Sequence, residues 1–595
     1  MDYRAVTPDI VSTPRLQEGE AIEAKYEHDQ CINCFISALD GGMNSAWLLR
    51  SYARPVRLSL SSSPTACHHA FNTTRTAEIS TALRSFSTAT ARREQEPEQS
   101  HSTIEHNAPG PAPRVAIIGS GPAGFYAARK LMREVHGTKI DMYERLPTPY
   151  GLVRYGVAPD HPDVKNCQDE FHQVAQSPDY TFVGNVELGR DLPLPILAKH
   201  YHAIVFSYGA SKDKEIGLEG EDKPHIYSAR AFVGWYNGLP EYRYLKPDLQ
   251  AGESAIVVGQ GNVAMDVARI LLSSVEALEK TDLTSYAIET LKTSRIKHVH
   301  VVGRRGPMQA AFTIKEVREL IHLPGVNFSP IPHHLFPPNS KSLERPKRRL
   351  MELLQKGKPH DPQATKSWSL DFLLAPTHLD WEPNDPNTLR GVTFTRTALS
   401  DPSSPSSPVS NTPEATTIPT STLLRSIGYK AEAIPGMDRL GATFDARAGT
   451  LHHDGTGRIL MLDTPAPAHA SPHAHAQGDA ALYCAGWVKR GPTGVIANTM
   501  TDAFQTAEAI ISDWKRASPN PASTLHHPKR GWPGVKAQAA AEGHRLEKVV
   551  SWDGWHRIDE KEKRAGAMKG KPREKYGRVE DMVEAAAAGG GGHVH

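Results

Sequence analysis

The sequence predicts an α/β protein of two parallel-sheet units, the second inserted into the first, and three stretches predict it. Arg114-Val-Ala-Ile-Ile-Gly-Ser-Gly-Pro-Ala-Gly124 runs a short, largely β-branched strand into a glycine turn, and Ser254-Ala-Ile-Val-Val-Gly-Gln-Gly-Asn-Val-Ala264 does so again. Far downstream, Ala481-Leu-Tyr-Cys-Ala-Gly-Trp-Val-Lys-Arg-Gly-Pro-Thr-Gly-Val-Ile496 supplies a third strand and turn. Strand, G-x-G-x-x-G/A turn and helix, twice over, read as two Rossmann-like dinucleotide-binding domains.

Val115 to Ile118 is too short for a helix and suits a strand buried on both faces. Gly119 allows the tight turn, Gly121 lets backbone approach a pyrophosphate, and Gly124 lets the following helix sit close to the strand. That helix starts near Ala123 and aims its positive end at phosphates. A second strand, Lys139-Ile-Asp-Met-Tyr-Glu144, ends in an acid twenty residues past Gly124, where a carboxylate accepts hydrogen bonds from an adenosine ribose.

At 595 residues and 65.2 kDa, the chain has room for two or three cores. Lys+Arg 68 against Asp+Glu 66 leaves no overall charge that would mark a nucleic-acid binder, so local clusters must identify partners. Cys31, Cys34, Cys67, Cys167 and Cys484 are too few for a disulfide framework, and the C-x-x-C at Cys31–Cys34 has no second pair to complete a zinc site. No apolar run approaches the roughly 20 residues that cross a bilayer, so a soluble protein is expected.

Residues 1–112 read as a disordered N-terminus. Met43 to Arg93 holds seven arginines, no lysine and one acid, Glu78, among many Ser, Thr and Ala, the composition of a mitochondrial transit peptide. Arg84-Ser-Phe-Ser-Thr-Ala resembles the processing region of fungal presequences, and the acids of residues 1–42 fit a presequence poorly, which makes Met43 a candidate start.

After the first motif comes Gly151-Leu-Val-Arg-Tyr-Gly-Val-Ala-Pro-Asp-His-Pro162, whose glycines and prolines predict an ordered loop. This string resembles the adrenodoxin reductase type of mitochondrial ferredoxin:NADP reductase, in the glutathione-reductase-like flavoprotein group, and the similarity continues from about Arg114 onward. The resemblance implies FAD on the first turn and NADP on the second. The strand His298-Val-His-Val-Val302 agrees: it runs into Gly303-Arg304-Arg305, and two guanidiniums suit a 2′-phosphate where an acid would repel it.

By resemblance, Gly119, Gly121, Ala123, Gly124, Glu144, Leu152 and Val186 line the FAD site, with Trp487, Gly494, Val495 and Ile496 from the downstream motif. A helix beginning near Gly494 would turn its positive end toward the flavin, and Gly494 would also meet the nicotinamide end of NADP. Gly259, Gln260, Gly261, Asn262, Val263, Arg304, Arg305 and Glu316 would hold NADPH. His161 and Asp266 match positions near the redox centre, in orienting or proton-transfer roles, and no metal is implied. The implied partner is an acidic [2Fe-2S] ferredoxin, met by a basic face with Arg318, Lys347, Arg348 and Arg349. Cys484 reads as a small buried residue. The ending, with Trp552-Asp-Gly-Trp555 and Gly570-Lys-Pro-Arg-Glu-Lys575, reads as packing rather than chemistry.

The expected organisation is a split FAD domain at 113–212 and 425–514, an NADP domain at 213–424 inserted in it, and a C-terminal extension at 515–595. Ser/Pro/Thr-rich 401–420 and Ala/Pro/His-rich 464–478 are expected as disordered surface insertions. A disulfide reductase of this architecture would need a C-x-x-C beside its flavin, and Cys31–Cys34 lies ahead of the first strand. The expected activity is hydride transfer from NADPH to FAD followed by single-electron transfer to ferredoxin, in the mitochondrial matrix or at the matrix side of the inner membrane, peripheral membrane association being left open.

Overall fold

A computed structural model describes residues 112–337, 343–404, 406–461, 480–517 and 527–588. The import segment expected at 43–93, Cys31, Cys34 and the insertion expected at 464–478 lie outside the described residues.

Five parallel strands form the first sheet, in the order Ala481–Cys484, Ala203–Phe206, Arg114–Ile118, Lys139–Tyr143 and Tyr180–Val183. Its apolar runs are explained by burial on both faces. Val115 and Ile117 join a core beneath the helices Pro122–Glu134 and Ile496–Ala517, whereas Ala116 and Ile118 pack with Leu194–His200 and Gly531–Ala541. The strand Ala481–Cys484 reaches this sheet only after a second one is complete, so the first unit is split around the second, as expected.

The second sheet is also parallel, ordered Ile226–Ser228, Thr422–Arg425, Ser254–Val258, His298–Gly303, Lys366–Phe372 and Val326–Phe328. Helices cover the face with Ala255, Val257, Val299 and Val301. An antiparallel sheet of Leu374–Glu382, Asp385–Leu399 and Val409–Pro419 covers the other, where Leu379, Val392 and Phe394 meet Ile256, Val258 and Leu423.

That third sheet corrects the reading of 401–420 as disordered, since Val409–Pro419 is an edge strand paired with 391–399. Val409, Thr416, Thr417 and Ile418 are β-branched, and an edge needs hydrogen bonds on one side only. Pro413 falls where the register slips between Thr395 and Thr397, a bulge that needs no amide donor. The loop from Gly151 is ordered, and it winds one helical turn, Leu152–Tyr155, which its glycines and prolines had argued against.

The C-terminal segment grips both units. Glu562, 0 % exposed, takes Arg154 Nη2 between its two carboxylate oxygens, each at 2.6 Å, a further bond from Arg573 at 3.2 Å and the Tyr576 N–H at 3.0 Å. On the second unit, Glu574 accepts from the Ser285 hydroxyl at 2.7 Å, and Asp282 pairs with Lys575 at 2.9 Å and with Lys165 at 2.8 Å. Burial drives the Lys575 amine down to about 7, against the pull of Asp282. Among the described residues, no helix is long and apolar enough to cross a membrane.

Candidate active site

The three glycines of the first turn do three different things. Gly119 sits at φ +102°, and a Cβ there would stand 2.6 Å from the Tyr208 Cα. A Cβ on Gly124 would lie 2.3 Å from the Gly119 carbonyl oxygen, so helix and turn are in close contact. Gly121 is open, with nothing within 4 Å of a Cβ. The helix Pro122–Glu134 starts there with no side-chain cap and no acid in its first turn, which leaves its positive end free for an anion.

Glu144 reaches back to this turn. One carboxylate oxygen accepts from the Ser120 N–H at 3.1 Å and the Ser120 hydroxyl at 2.7 Å, the other from the Leu146 N–H at 3.1 Å. A carboxylate has about four acceptor sites, so the acid is held in place with capacity for one more donor. Two further segments close on the turn. A Cβ on Gly151 would lie 3.3 Å from the Gly121 Cα, and one on Gly486 would lie 2.7 Å from the Ala123 Cβ. Leu152 is half-buried beside Gly151, and Val186 is buried, its N–H donating to the Glu144 carbonyl at 2.9 Å.

The Gly486 turn is fixed by a group that sequence reasoning missed. Buried Asp502 accepts the Gly486 N–H at 2.6 Å and pairs with buried Lys489 at 3.0 Å. Trp487 packs on Tyr429 with ring centroids 6.0 Å apart. Gly494 is at φ +81°, and the long helix begins at Ile496, two residues later than expected. Asn498 accepts the Val495 N–H at 3.0 Å, and Val495 is left 47 % exposed ahead of that helix. Tyr126 against Phe504 and Lys130 paired with Glu508 at 2.8 Å join this helix to the first one.

The second turn repeats the arrangement. Gly259 is at φ +124° with the Ser426 carbonyl where a Cβ would go, Gly261 is open, and the helix Asn262–Leu272 has no side-chain cap. Gln260 faces inward, donating to the carbonyls of Val301 at 3.1 Å and Asp371 at 3.4 Å, so its side chain braces the turn. Asn262 likewise accepts from the Thr313 N–H at 2.8 Å, and Val263 is half-buried between two cores. Arg304 and Arg305 are exposed and make no ion pair with a described residue, while their carbonyls are anchored by Thr397 at 2.7 Å and Leu373 at 3.2 Å. Two unpaired cations on a fixed backbone are what a phosphate site requires.

His161, Asp266 and Glu316, far apart in sequence, come together where the units meet. His161 Nε2 lies 2.6 Å from Glu319, and its Nδ1 lies 3.9 Å from Glu316. Arg269, not anticipated from the sequence, pairs with Asp160, Asp266 and Glu316 together. Burial pushes Asp266 up to about 7 despite that partner, with the Glu316 charge adding to the rise. Asp160 is held below the usual carboxylate range, burial being outweighed by its Arg269 hydrogen bonds. Ligand atoms of His161, Glu316 and Glu319 lie within 4.8 Å of one another, but Arg269 already pairs with Glu316, and its guanidinium would repel a cation.

Of the residues expected on the basic face, Arg318 and Arg349 are exposed, and Lys347 and Arg348 are half-buried, on the packed helices Ile314–Ile321 and Arg345–Lys356. Arg348 reaches Glu352 at 3.9 Å, and burial lowers the Lys347 amine. Cys484 is buried and its thiol pushed up to about 12 by burial, while Cys167 rises to about 11 for the same reason. Neither is a reactive thiolate.

No family model matches the chain. Curated relatives do. It is 42 % identical over 485 residues to the mitochondrial NADPH:adrenodoxin oxidoreductase of Drosophila melanogaster, covering 80 % of this chain and 94 % of that protein. The Homo sapiens enzyme of the same name is 41 % identical over 482 residues, covering 79 % and 91 %. A Schizosaccharomyces pombe protein named as a probable one is 38 % identical over 489 residues, covering 80 % and 95 %. Among solved structures, FprA of Mycobacterium tuberculosis in complex with NADPH superposes with a TM-score of 0.70 at 33 % identity, over 80 % of this chain and all of that one. With this identity sustained along nearly the whole of each relative, the chain belongs to the NADPH:adrenodoxin oxidoreductase family.

Proposed function

We propose that this chain is a FAD-dependent NADPH:ferredoxin oxidoreductase of the adrenodoxin type, and that it works in the mitochondrion, as its relatives' names indicate for them. One observation carries the reading. Two glycine cradles of the same build, both open at Gly121 and Gly261, end in opposite charges, Glu144 beside one and Arg304 with Arg305 beyond the other. A carboxylate suits an unmodified ribose and two guanidiniums suit a 2′-phosphate.

FAD would lie on the first cradle, held by Gly119, Gly121, Ala123, Gly124 and Glu144, with Leu152, Val186, Trp487, Gly494, Val495 and Ile496 around its rings. NADPH would lie on Gly259 to Val263, with its extra phosphate on Arg304 and Arg305, Glu316 among its contacts and Gly494 at its nicotinamide end. Bound flavin supplies the conversion between paired and single electrons, which no side chain can perform. The chain itself supplies position and charge. Asp502 and Lys489 hold the Gly486 turn, the helix from Ile496 presents its positive end, and His161 with Asp266 offers sites to hold or move a proton. Arg318, Lys347, Arg348 and Arg349 form the face for an acidic [2Fe-2S] ferredoxin, which their charge would steer into contact. The arginine-rich, acid-poor composition of residues 43–93 supports import, to the matrix or to the matrix side of the inner membrane.

The test is spectroscopic. Purified protein should carry a flavin band that NADPH bleaches and NADH does not, and it should reduce cytochrome c only when ferredoxin is added. Colourless protein that takes up no flavin on reconstitution would end this reading. Turnover with ferredoxin unaffected by charge reversal at Lys347, Arg348 and Arg349 at low salt would remove that face from the docking site.

A further inference from the structure

Arg269 stands one turn past Asp266 on the helix Asn262–Leu272 and is 3 % exposed. A guanidinium out of water is costly unless its donors are met. Here they are met from three directions. Nε donates to one oxygen of Asp160 at 2.6 Å and Nη2 to the other at 3.2 Å, a two-pronged grip. Nη2 also donates to Asp266 at 2.6 Å, and Nη1 to Glu316 at 3.4 Å.

The three acids have separate origins. Asp160 belongs to the loop that starts at Gly151 against the first glycine turn, Asp266 to the helix that starts at the second, and Glu316 to the helix Ile314–Ile321. The residue after Asp160 is His161, itself joined at 2.6 Å to Glu319 on that last helix. The two cradles are thus tied at one corner, and Arg269 is the member of the tie that touches all three segments.

We propose that Arg269 is a positioning residue for hydride transfer: its fork on Asp160, with Asp266 and Glu316 on its remaining donors, fixes the second cradle relative to the first. It acts through those carboxylates. A lysine would keep the charge and lose the fork, because an ammonium cannot grip one carboxylate with two parallel donors while reaching two others. The inference rests on the reductase reading above, and its test is built to fail separately from it.

The experiment uses the flavin-loaded full chain as wild type, Arg269→Lys, Asp160→Asn and the double variant. Single-turnover flavin reduction by NADPH is read beside NADP+ affinity, from perturbation of the flavin spectrum, and amide exchange over residues 157–164. Arg269→Lys should hold NADP+ within about threefold of wild type while reduction slows about tenfold or more, the penalty of a displaced near-attack geometry. Exchange at 157–164 should quicken, and the double variant should be no slower than the slower single one, since both break one contact. Wild-type reduction rates in Arg269→Lys, unchanged exchange, or multiplying effects in the double variant would each overturn the proposal. Should Arg269→Lys not fold, Asp160→Asn decides alone, and wild-type reduction and exchange in it would refute the tie. Wild-type protein that NADPH fails to reduce would sink the reductase reading, while exchange at 157–164 still tests the tie.

Discussion

Gly486 and Ala123 touch across most of the length of the chain: a Cβ on Gly486 would stand 2.7 Å from that of Ala123. Gly486 also sits at φ +74° and ψ −143°, a region close to glycine-only backbone. Gly486→Ala therefore meets strain and a clash at the uncapped start of the first helix. The expected cost is about 1–3 kcal/mol, with weakened flavin retention. Thermal unfolding and the flavin-to-protein absorbance ratio measure both, and wild-type values for the variant would count against the contact.

Arg304 and Arg305 are free of ion pairs with described residues and should answer for cofactor choice. Replacing both by alanine should weaken NADPH by on the order of 1.5–3 kcal/mol for each charged hydrogen bond lost, leaving NADH nearly unchanged. Titration of the variant with each nucleotide checks this. An intact preference for NADPH would reassign that loop.

Glu562 is the buried acceptor for Arg154, Arg573 and the Tyr576 amide, so Glu562→Gln removes the charge and leaves Arg154 in the interior without its main partner. Breaking one side of a buried pair costs about 3–5 kcal/mol. Denaturant unfolding should register that loss, and because Arg154 lies beside Leu152, flavin release should quicken as well. A variant within experimental error of wild type would show that the C-terminal grip contributes little.

His202 gives the chain an acid-sensitive joint. Its Nδ1 accepts the Arg114 N–H at 2.8 Å and its Nε2 donates to the His527 carbonyl at 3.1 Å, an arrangement that needs the neutral ring, and burial drives its pKa down to about 4. Unfolded, the ring titrates near 6.5, so the native state binds fewer protons between those values. The associated stability is fully present above pH 6.5 and is lost as pH falls through about 4, on the order of 2–3 kcal/mol. Unfolding free energies of wild type and His202→Gln should converge by that amount between pH 7 and pH 4, and a constant gap would refute the assignment.

Both glycine turns were legible because the strand, the glycine spacing and the helix that follow one another lie in one short stretch, even though what crowds Gly119 and Gly259, Tyr208 and Ser426, comes from far along the chain. The split of the first unit was legible too, from the order of the motifs. Asp502, Lys489, Arg269 and Glu562 were not, since an ionisable side chain in an amphipathic helix looks the same whether it faces water or a buried partner far along the chain. The edge strand at 409–419 was hidden by its own composition. Serine, proline and threonine read as loop until a neighbouring strand offers one row of hydrogen bonds and a bulge for Pro413. His161 and Asp266 were placed near one centre by resemblance, but the guanidinium that gathers their surroundings had no local signature.

The split sheet also bears on how the protein is made. The strand Ala203–Phe206 receives its outer neighbour, Ala481–Cys484, only after the whole second sheet has been synthesised. Throughout that interval a newly made chain carries a row of unsatisfied amides and carbonyls along an apolar ribbon, open to pairing with another copy. Translation that stalls, or a message cut short before codon 481, would release polypeptides with a finished inner unit and a raw outer margin, substrates for chaperones rather than for flavin.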